Sequence, residues 1–480
     1  MTPHAEPRKW AVVEKSDSLH EACGVVGVYA PGQNVAQIAF YGLYALQHRG
    51  QESAGIATAT GKRIHHYTSM GLVSQAFRES DLERLEGHIA IGHTRYSTTG
   101  STRIQNAQPI MVSNGQTELA LAHNGNVINA QELRRELSEM GCNFTSSTDS
   151  EVLAYLLACA PTDDWGERVS YMMRRAQGAY SLTVLTQDTL VGIRDPYGVR
   201  PLCLGKLDGG WVIASESCAL DHLGAQYLRE VDPGETVIVD QRGLTSVPYR
   251  GELPPPAPCV FEYIYFARPD SLLGGNLTYL SRRAMGRQLA REHPVEADIV
   301  IGIPDSATAA AVGFAQESGI PYSDGLVKNR YVGRTFIEPD QRFRELGVRM
   351  KFNPLPEVIS GKRVVIVDDS IVRGTTTPHV VGMVRKAGAT EIHMRVCAPP
   401  IRHPCHFGVD MATRRELIAA NMTVDEIRQF IGADSLGYLS VDGLLKTVGS
   451  NGHTFCSACF TGKYPIPVQL EMDKLALERP

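Results

Sequence analysis

Between Val364 and Pro378 the 480-residue chain reads VVIVDDSIVRGTTTP, and this stretch gathers more reactive side chains than any other. Asp368 and Asp369 are adjacent carboxylates. Ser370, Thr375, Thr376 and Thr377 bring hydroxyls, Arg373 a guanidinium and Gly374 an unobstructed backbone amide. Loop N–H groups, hydroxyls and a helix start together suit a phosphate. Two carboxylates beside a phosphate repel it unless something intervenes. Ribose hydroxyls donating hydrogen bonds, or a Mg²⁺ ion, would offset that repulsion, and a sugar phosphate carrying its own metal supplies both. An acidic turn after a core strand explains a bare Asp-Asp pair, but not the whole DDSxxRGTT run. None of the four Gly-Lys pairs (at Gly61, Gly205, Gly361 and Gly462) is followed by Ser or Thr, so no Walker A loop competes.

The elements that must hold this loop can be read on either side of it. Arg363–Val367 is nearly all β-branched, as in a strand buried on both faces of a parallel sheet. Val380, Val381, Met383 and Val384 continue as a helix with Pro378 in its first turn. Asp298–Ile303 (DIVIGI) is a second such strand, running through Pro304-Asp305-Ser306 into an Ala-rich helix over Ala307–Gln316. That alternation predicts a doubly wound α/β sheet with the acidic loop at its carboxyl edge.

Other residues invite chemistry less specifically. Cys456-x-x-Cys459 has ligand spacing; alone it fits zinc, a redox dithiol or nothing. Cys23 opens a small-residue strand, CGVVGVYA, after a charged leader, and a strand cysteine is more often inert than nucleophilic. Lys328–Ile337 (KNRYVGRTFI) is cationic around a glycine, which by itself describes a solvated face. Ten cysteines are too sparse here for a disulfide scaffold.

Composition sets broad limits. At ~150 residues per domain the chain holds two to four domains. A net charge of −5 gives no support to nonspecific nucleic-acid binding. No apolar run approaches the ~18 residues of a membrane span, and residues 1–22 lack a secretory core. A cytoplasmic enzyme with reduced thiols is the expectation. Val231–Asp240 reads as a strand closing a first domain, Gly251–Pro258 (GELPPPAP) as a stiff connector, and the aromatic Cys259–Ser271 as buried.

The Arg363–Pro378 string closely resembles the phosphoribosyl-pyrophosphate loop of the type I phosphoribosyltransferases. The resemblance implies that Asp368 and Asp369 hold the ribose hydroxyls. Ser370, Arg373, Gly374, Thr375 and Thr376 would hold the 5-phosphate. Ser306 would lie near the pyrophosphate and, with the Asp pair, help bind Mg²⁺, although capping the next helix suits it as well.

The amino-terminal half carries YGLYALQHRGQESAGI, GHTRYST, LAHNGNVIN, STDSEV, RDPYGVRPL and ASES in that order. From Cys23 to about Asp240 this series resembles the class II glutamine amidotransferases, which are N-terminal-nucleophile hydrolases with an αββα sandwich. If residues 1–22 are removed, Cys23 carries a thiol and an α-amine of pKa ~7.7–8.0 able to take its proton, so no histidine is needed. His93 and His123 then read as structural. The resemblance makes Asn124 and Gly125 the oxyanion donors, Arg95 the grip on the glutamine α-carboxylate and Asp149 the partner of its α-ammonium. Asp149 also suits an N-cap before a Glu151–Leu157 helix, in competition with Ser147 and Thr148.

Together the halves resemble the amidophosphoribosyltransferases. That implies domains at 1–22 (leader), 23–250 (glutaminase) and 259–480 (phosphoribosyltransferase). The reaction converts glutamine, water and phosphoribosyl pyrophosphate to phosphoribosylamine, glutamate and pyrophosphate, the committing step of purine synthesis. Lys328, Arg330 and Arg334 would lie on a flap neutralising the leaving group, and Arg342, Arg344, Arg349 and Lys351 on a nucleotide-phosphate site. Cys259, Cys405, Cys456 and Cys459 would ligate a structural [4Fe–4S] cluster, with Cys397 a plain strand residue. Thiolate chemistry alone does not separate that cluster from zinc. Feedback by purine nucleotides and a homotetramer are also implied, with no nucleic acid or membrane partner. Two rivals are another class II amidotransferase, such as a glucosamine-phosphate synthase or asparagine synthetase, and a non-catalytic regulator that binds phosphoribosyl pyrophosphate, as some purine repressors do.

Overall fold

Small and β-branched residues alternating along short strands build two antiparallel sheets from residues 24–248. The computed structural model describes residues 23–96, 101–115, 117–329, 351–409, 413–449, 454–468 and 476–478. The first sheet has seven strands, with Gly24–Tyr29 near its middle between Gly210–Ala214 and Ile89–Arg95. The second has six, and its long Thr117–Val127 strand lies between Ile110–Asn114 and Gly178–Leu185. Val25, Ile89 and Ile91 of the first sheet pack on Ala120, Ala122 and Leu190 of the second. Helix Val35–Ala45 covers the outer face of one sheet; helices Ala130–Glu139, Asp149–Ala158 and Trp165–Arg175 cover the other. This is the expected αββα sandwich.

One boundary differs. Glu235–Asp240 is not the last strand, because a further strand, Gly243–Pro248, pairs with it antiparallel. Its proline ends an edge strand, where a missing N–H removes no ladder bond. Pro248 and the polar Thr245 and Ser246 hide that strand from a hydrophobicity reading.

The second half is built on four parallel strands in the order Ile299–Gly302, Arg363–Asp368, Glu391–Val396 and Ser435–Tyr438. Val364 to Val367 are fully buried, as a strand covered on both faces requires. Between the halves, the connector hydrogen-bonds along the sandwich (Ala257 N to Tyr197 O, 2.8 Å; Cys259 N to Val199 O, 3.0 Å). The aromatic segment then coils into a π-helical turn, Glu262–Phe266, with Phe261, Tyr263, Ile264 and Phe266 buried. Among the described residues no helix is long and apolar enough to cross a membrane.

Candidate active sites

Cys23 immediately precedes the central strand of the first sheet, beside the end of Ile89–Arg95. Its sulfur lies 3.3 Å from the Tyr96 carbonyl and 3.4 Å from the Tyr96 N–H. Burial pushes the thiol up to about 11, against the lowering effects of the Tyr96 backbone bond and the Arg95 charge. The sulfur is therefore protonated at neutral pH and needs a base. The nearby histidines have other work: His93 Nε2 meets the His123 carbonyl at 3.0 Å, and His123 Nδ1 meets Ser150 Oγ at 3.1 Å. Burial lowers both rings, His93 to about 3.

Cys23, Arg95, Gly125 and Asp149 line one pocket, with His123 and Gln108 in its wall. Strand alternation turns Asn124 toward the inter-sheet layer that holds Ala120 and Ala122. Its side-chain amide is fully buried, and among the described residues neither its oxygen nor its nitrogen has a hydrogen-bond partner. An orphaned buried amide costs about 1–3 kcal/mol, an arrangement that makes sense where a ligand completes it. Gly125 has φ +150°, and a Cβ there would lie 2.0 Å from the Ala179 carbonyl oxygen, so only glycine fits.

Arg95 is buried, with Nη1 3.4 Å from Glu52 Oε2 and 3.3 Å from the Ser101 carbonyl. Asp149 Oδ2 accepts the Val127 N–H at 2.9 Å, two residues past Gly125 on the same strand. Asp149 is not the helix cap. That position is Thr148, while Glu151 reaches back to the N–H groups of Thr145 (2.8 Å) and Ser146 (2.7 Å). The sequence reading missed Gln108, which accepts from His123 N at 2.8 Å and donates to Ser150 Oγ at 2.9 Å.

At the carboxyl edge of the parallel sheet, Asp369 is buried. Its carboxyl is pushed up by that burial and held down by hydrogen bonds from Ser306 and Ser370 and by the Arg282 charge. Ser306 thus acts on the Asp369 carboxyl; the helix cap is Ala307. Asp368 Oδ1 accepts the Asp369 N–H at 2.8 Å. Gly374 has φ +73°, and a Cβ on it would come 2.5 Å from Ile418. Thr376 caps the helix Thr377–Lys386, and Thr375 sits one residue ahead of it. Arg373 is paired with Glu416 at 2.8 Å.

Lys328 ends a strand that pairs with Phe352–Pro354, and its Nζ is 3.5 Å from Asp305, the neighbour of Ser306. Lys351 lies across this ribbon, its carbonyl accepting from Asn329 N at 2.8 Å. Arg330, Arg334, Arg342, Arg344 and Arg349 lie outside the described residues.

All ten cysteines are free thiols. Cys259 and Cys456 form an isolated parallel bridge, with Val260 N to Cys456 O at 3.2 Å and Cys456 N to Pro258 O at 2.9 Å. The Cys459 carbonyl accepts from Arg402 and His403, just before Cys405. Burial raises the thiols of Cys259 (to about 11), Cys456 and Cys459, and their mutual proximity, together with Cys405, raises them further. Four soft sulfur donors thus lie near enough along one seam to raise one another. Among the described residues no three or more His, Cys, Asp or Glu side chains sit at the spacing of a single ion. Cys397 stands apart, following the strand Glu391–Val396 and bonding Asp368 O through its N–H at 2.9 Å.

A buried charge network also escaped the sequence reading. Arg49 donates to the Cys23 carbonyl at 3.2 Å and pairs with Glu216 and Glu262, the latter at 2.8 Å. Arg200 shares Glu262 at 3.1 Å. All four charged groups are 2% exposed or less. The hint was a lone carboxylate inside the aromatic run CVFEYIYF.

A sequence model of a glutamine amidotransferase domain matches residues 93–222. Curated amidophosphoribosyltransferases are similar along nearly the whole chain. The protein from Synechococcus elongatus is 52% identical over 97% of this chain and 96% of its own. That from Methanocaldococcus jannaschii is 50% identical over 94% and 98%. Among solved structures, the glutamine phosphoribosylpyrophosphate amidotransferase from B. subtilis complexed with ADP and GMP is 45% identical, with a TM-score of 0.88 over 95% of this chain and all of its own. An allosteric regulatory enzyme of purine biosynthesis is also 45% identical, with a TM-score of 0.90 over 95% and 99%. Since both halves take part in these full-length matches, the chain belongs to the amidophosphoribosyltransferase family.

Proposed function

We infer that this chain hydrolyses glutamine at Cys23 and delivers the ammonia to phosphoribosyl pyrophosphate at the Asp368–Thr376 loop. The products are glutamate, phosphoribosylamine and pyrophosphate, and the step opens purine synthesis. The observation that carries the reading is the pocket shared by Cys23, Arg95, Gly125 and Asp149, beside the unpartnered Asn124 amide.

Arg95 takes the substrate α-carboxylate and Asp149 its α-ammonium. The Cys23 α-amine, once freed of residues 1–22, removes the thiol proton, and the sulfur attacks the amide carbon. The developing oxyanion accepts from Asn124 Nδ2 and the Gly125 N–H. The intermediate collapses by breaking the C–N bond, the α-ammonium returning its proton to the leaving ammonia, and water then hydrolyses the thioester to glutamate and the free thiol. In the second half, Asp368 and Asp369 accept from the ribose hydroxyls, while Ser370, Arg373, Gly374, Thr375 and Thr376 hold the 5-phosphate. Lys328 and Arg330 offset the charge of the departing pyrophosphate.

Hard oxygen donors suit Mg²⁺, and Ser306, Asp368 and Asp369 supply them. The ion, when bound, contributes positive charge to the pyrophosphate. Cys259, Cys405, Cys456 and Cys459, a set of four thiols without carboxylates, suit a [4Fe–4S] cluster, whose place at the seam makes it structural. Iron and acid-labile sulfide after anaerobic purification support that assignment; a colourless protein carrying zinc refutes it. The division into 1–22, 23–250 and 259–480, a cytoplasmic homotetramer, and inhibition by purine nucleotides belong to the same reading. A relative solved with ADP and GMP supports the last point.

Two variants test the scheme. Cys23→Ala abolishes glutamine-supported synthesis and spares ammonia-supported synthesis; Asp368→Ala damages both. Equal loss of both activities in the Cys23 variant sinks the two-site scheme.

A further inference from the structure

Glu262 belongs to the carboxyl-terminal half, yet its contacts lead to the glutaminase. One route runs through Arg49, which takes both Glu262 oxygens (2.8 and 3.1 Å) and donates Nε to the Cys23 carbonyl at 3.2 Å. The other runs through Arg200, whose Nη1 reaches Glu262 at 3.1 Å while Nε and Nη2 grip the Phe407 carbonyl at 2.9 and 2.7 Å. Phe407 lies in a strap laid across the end of the strand Thr117–Val127, at Gly125 and Asn126. Asn126 Nδ2 donates to the His406 carbonyl at 3.0 Å. Gly408 is so close to Gly125 that a Cβ on it would sit 2.9 Å from the Gly125 carbonyl carbon.

One carboxylate therefore touches, through one guanidinium each, the residue that bears the nucleophile and the strap that backs the strand at Gly125. The segment carrying it is itself pinned. Arg282 donates to the carbonyls of Tyr263 (3.0 Å) and Ala267 (2.7 Å) on either side of the π-helical turn. Two arginines fully buried with shared carboxylates form a rigid unit, because losing one partner strands the other charge.

Resting on the proposed glutaminase reaction, we propose that Glu262 is a positioning residue for it, holding Cys23 and the Asn124–Gly125 stretch of the strand Thr117–Val127 in register from the other half of the chain. It touches no reacting atom. Its effect is on geometry, and geometry at an attacking sulfur and its oxyanion donors governs turnover more than glutamine affinity.

The test is Glu262→Gln in the full-length protein, which keeps the shape and removes the charge. Glutamine-supported kcat falls at least about tenfold with glutamine KM within about threefold, since small misplacements act on the chemical step. Ammonia-supported synthesis is retained, and alkylation of Cys23 by a diazoketone analogue of glutamine slows with kcat. Glu262→Asp restores part of the rate. Gly408→Ala, which disturbs the strap and no charge, reproduces the split and decides the matter should the Glu262 variant fail to fold. A parallel loss with both nitrogen sources, or unchanged Cys23 alkylation, overturns the proposal. An unmodified protein making phosphoribosylamine from neither source removes the proposed function instead, and the alkylation measurement then decides this inference alone.

Discussion

Arg373 and Glu416 form a charge-assisted pair that ties the Asp368–Thr376 loop to the Arg414–Glu416 turn, with Nη2 at 2.8 Å and Nε at 3.1 Å from the same carboxylate oxygen. Both side chains are largely buried. Glu416 thereby fixes the plane of a guanidinium expected on the 5-phosphate, and a held fork loses less freedom when it binds. Glu416→Ala raises the KM for phosphoribosyl pyrophosphate about tenfold, the scale of one charge-assisted hydrogen bond. The measurement uses ammonia as donor, and glutaminase activity stays unchanged. A lower KM shows instead that Glu416 competes with the phosphate.

Asn124→Ala separates activity from stability. Removing one oxyanion donor lowers glutaminase kcat by ~10²–10³. The same change deletes an unpartnered buried amide, so thermal stability holds or rises, in contrast to the usual loss on truncating a buried side chain. Kinetics and a melting curve on one preparation check both halves of the expectation.

Cys23 reports the state of the chain before it. With burial holding the thiol at about 11, alkylation of Cys23 in the uncut chain climbs about tenfold per pH unit from 7 to 10, following the thiolate fraction. Once the α-amine is free, the pH profile levels off near the amine's own pKa of ~8. Iodoacetamide labelling followed by peptide mass spectrometry distinguishes the two profiles.

His93 makes the fold sensitive to acid. Its ring is held neutral at about 3 against 6.5 when unfolded, so the stability it confers is complete above pH 6.5 and drains as pH falls toward 3. From pH 6.5 to 5 the loss is roughly 2 kcal/mol for this one ring, at 1.36 kcal/mol per unit. His123 shifts in the same direction. Urea unfolding at pH 7.5 and 5 shows a smaller difference in His93→Gln than in the unaltered chain.

What could be read before any coordinates was local. The Arg363–Pro378 string announces a strand, a loop and a helix because each follows from neighbours a few positions away. Asn124 and Gly125 are ordinary turn residues by propensity, and only the resemblance singled them out. Ser306 and Asp149 each had a plausible cap role; neither caps, since Ala307 and Thr148 hold those positions and Asp149 instead takes the Val127 N–H across space. Arg49, Arg200 and Glu262 escaped altogether. Their meaning lies in contacts between distant segments, which no periodicity records, and buried charge is uncommon enough that a reader assigns it to the surface.

The contact of Gly408 on Gly125 bears on how separable the two catalytic halves are. Cutting the chain at the connector would lay open two guanidiniums and an asparagine amide that now face carbonyls and a carboxylate of the other half. The amino-terminal half is therefore no free-standing glutaminase awaiting a fusion partner. Transplanting it onto another acceptor domain requires carrying the Glu262 turn and the His406–Gly408 strap along, and Gly408 can gain a side chain only if the two halves move apart.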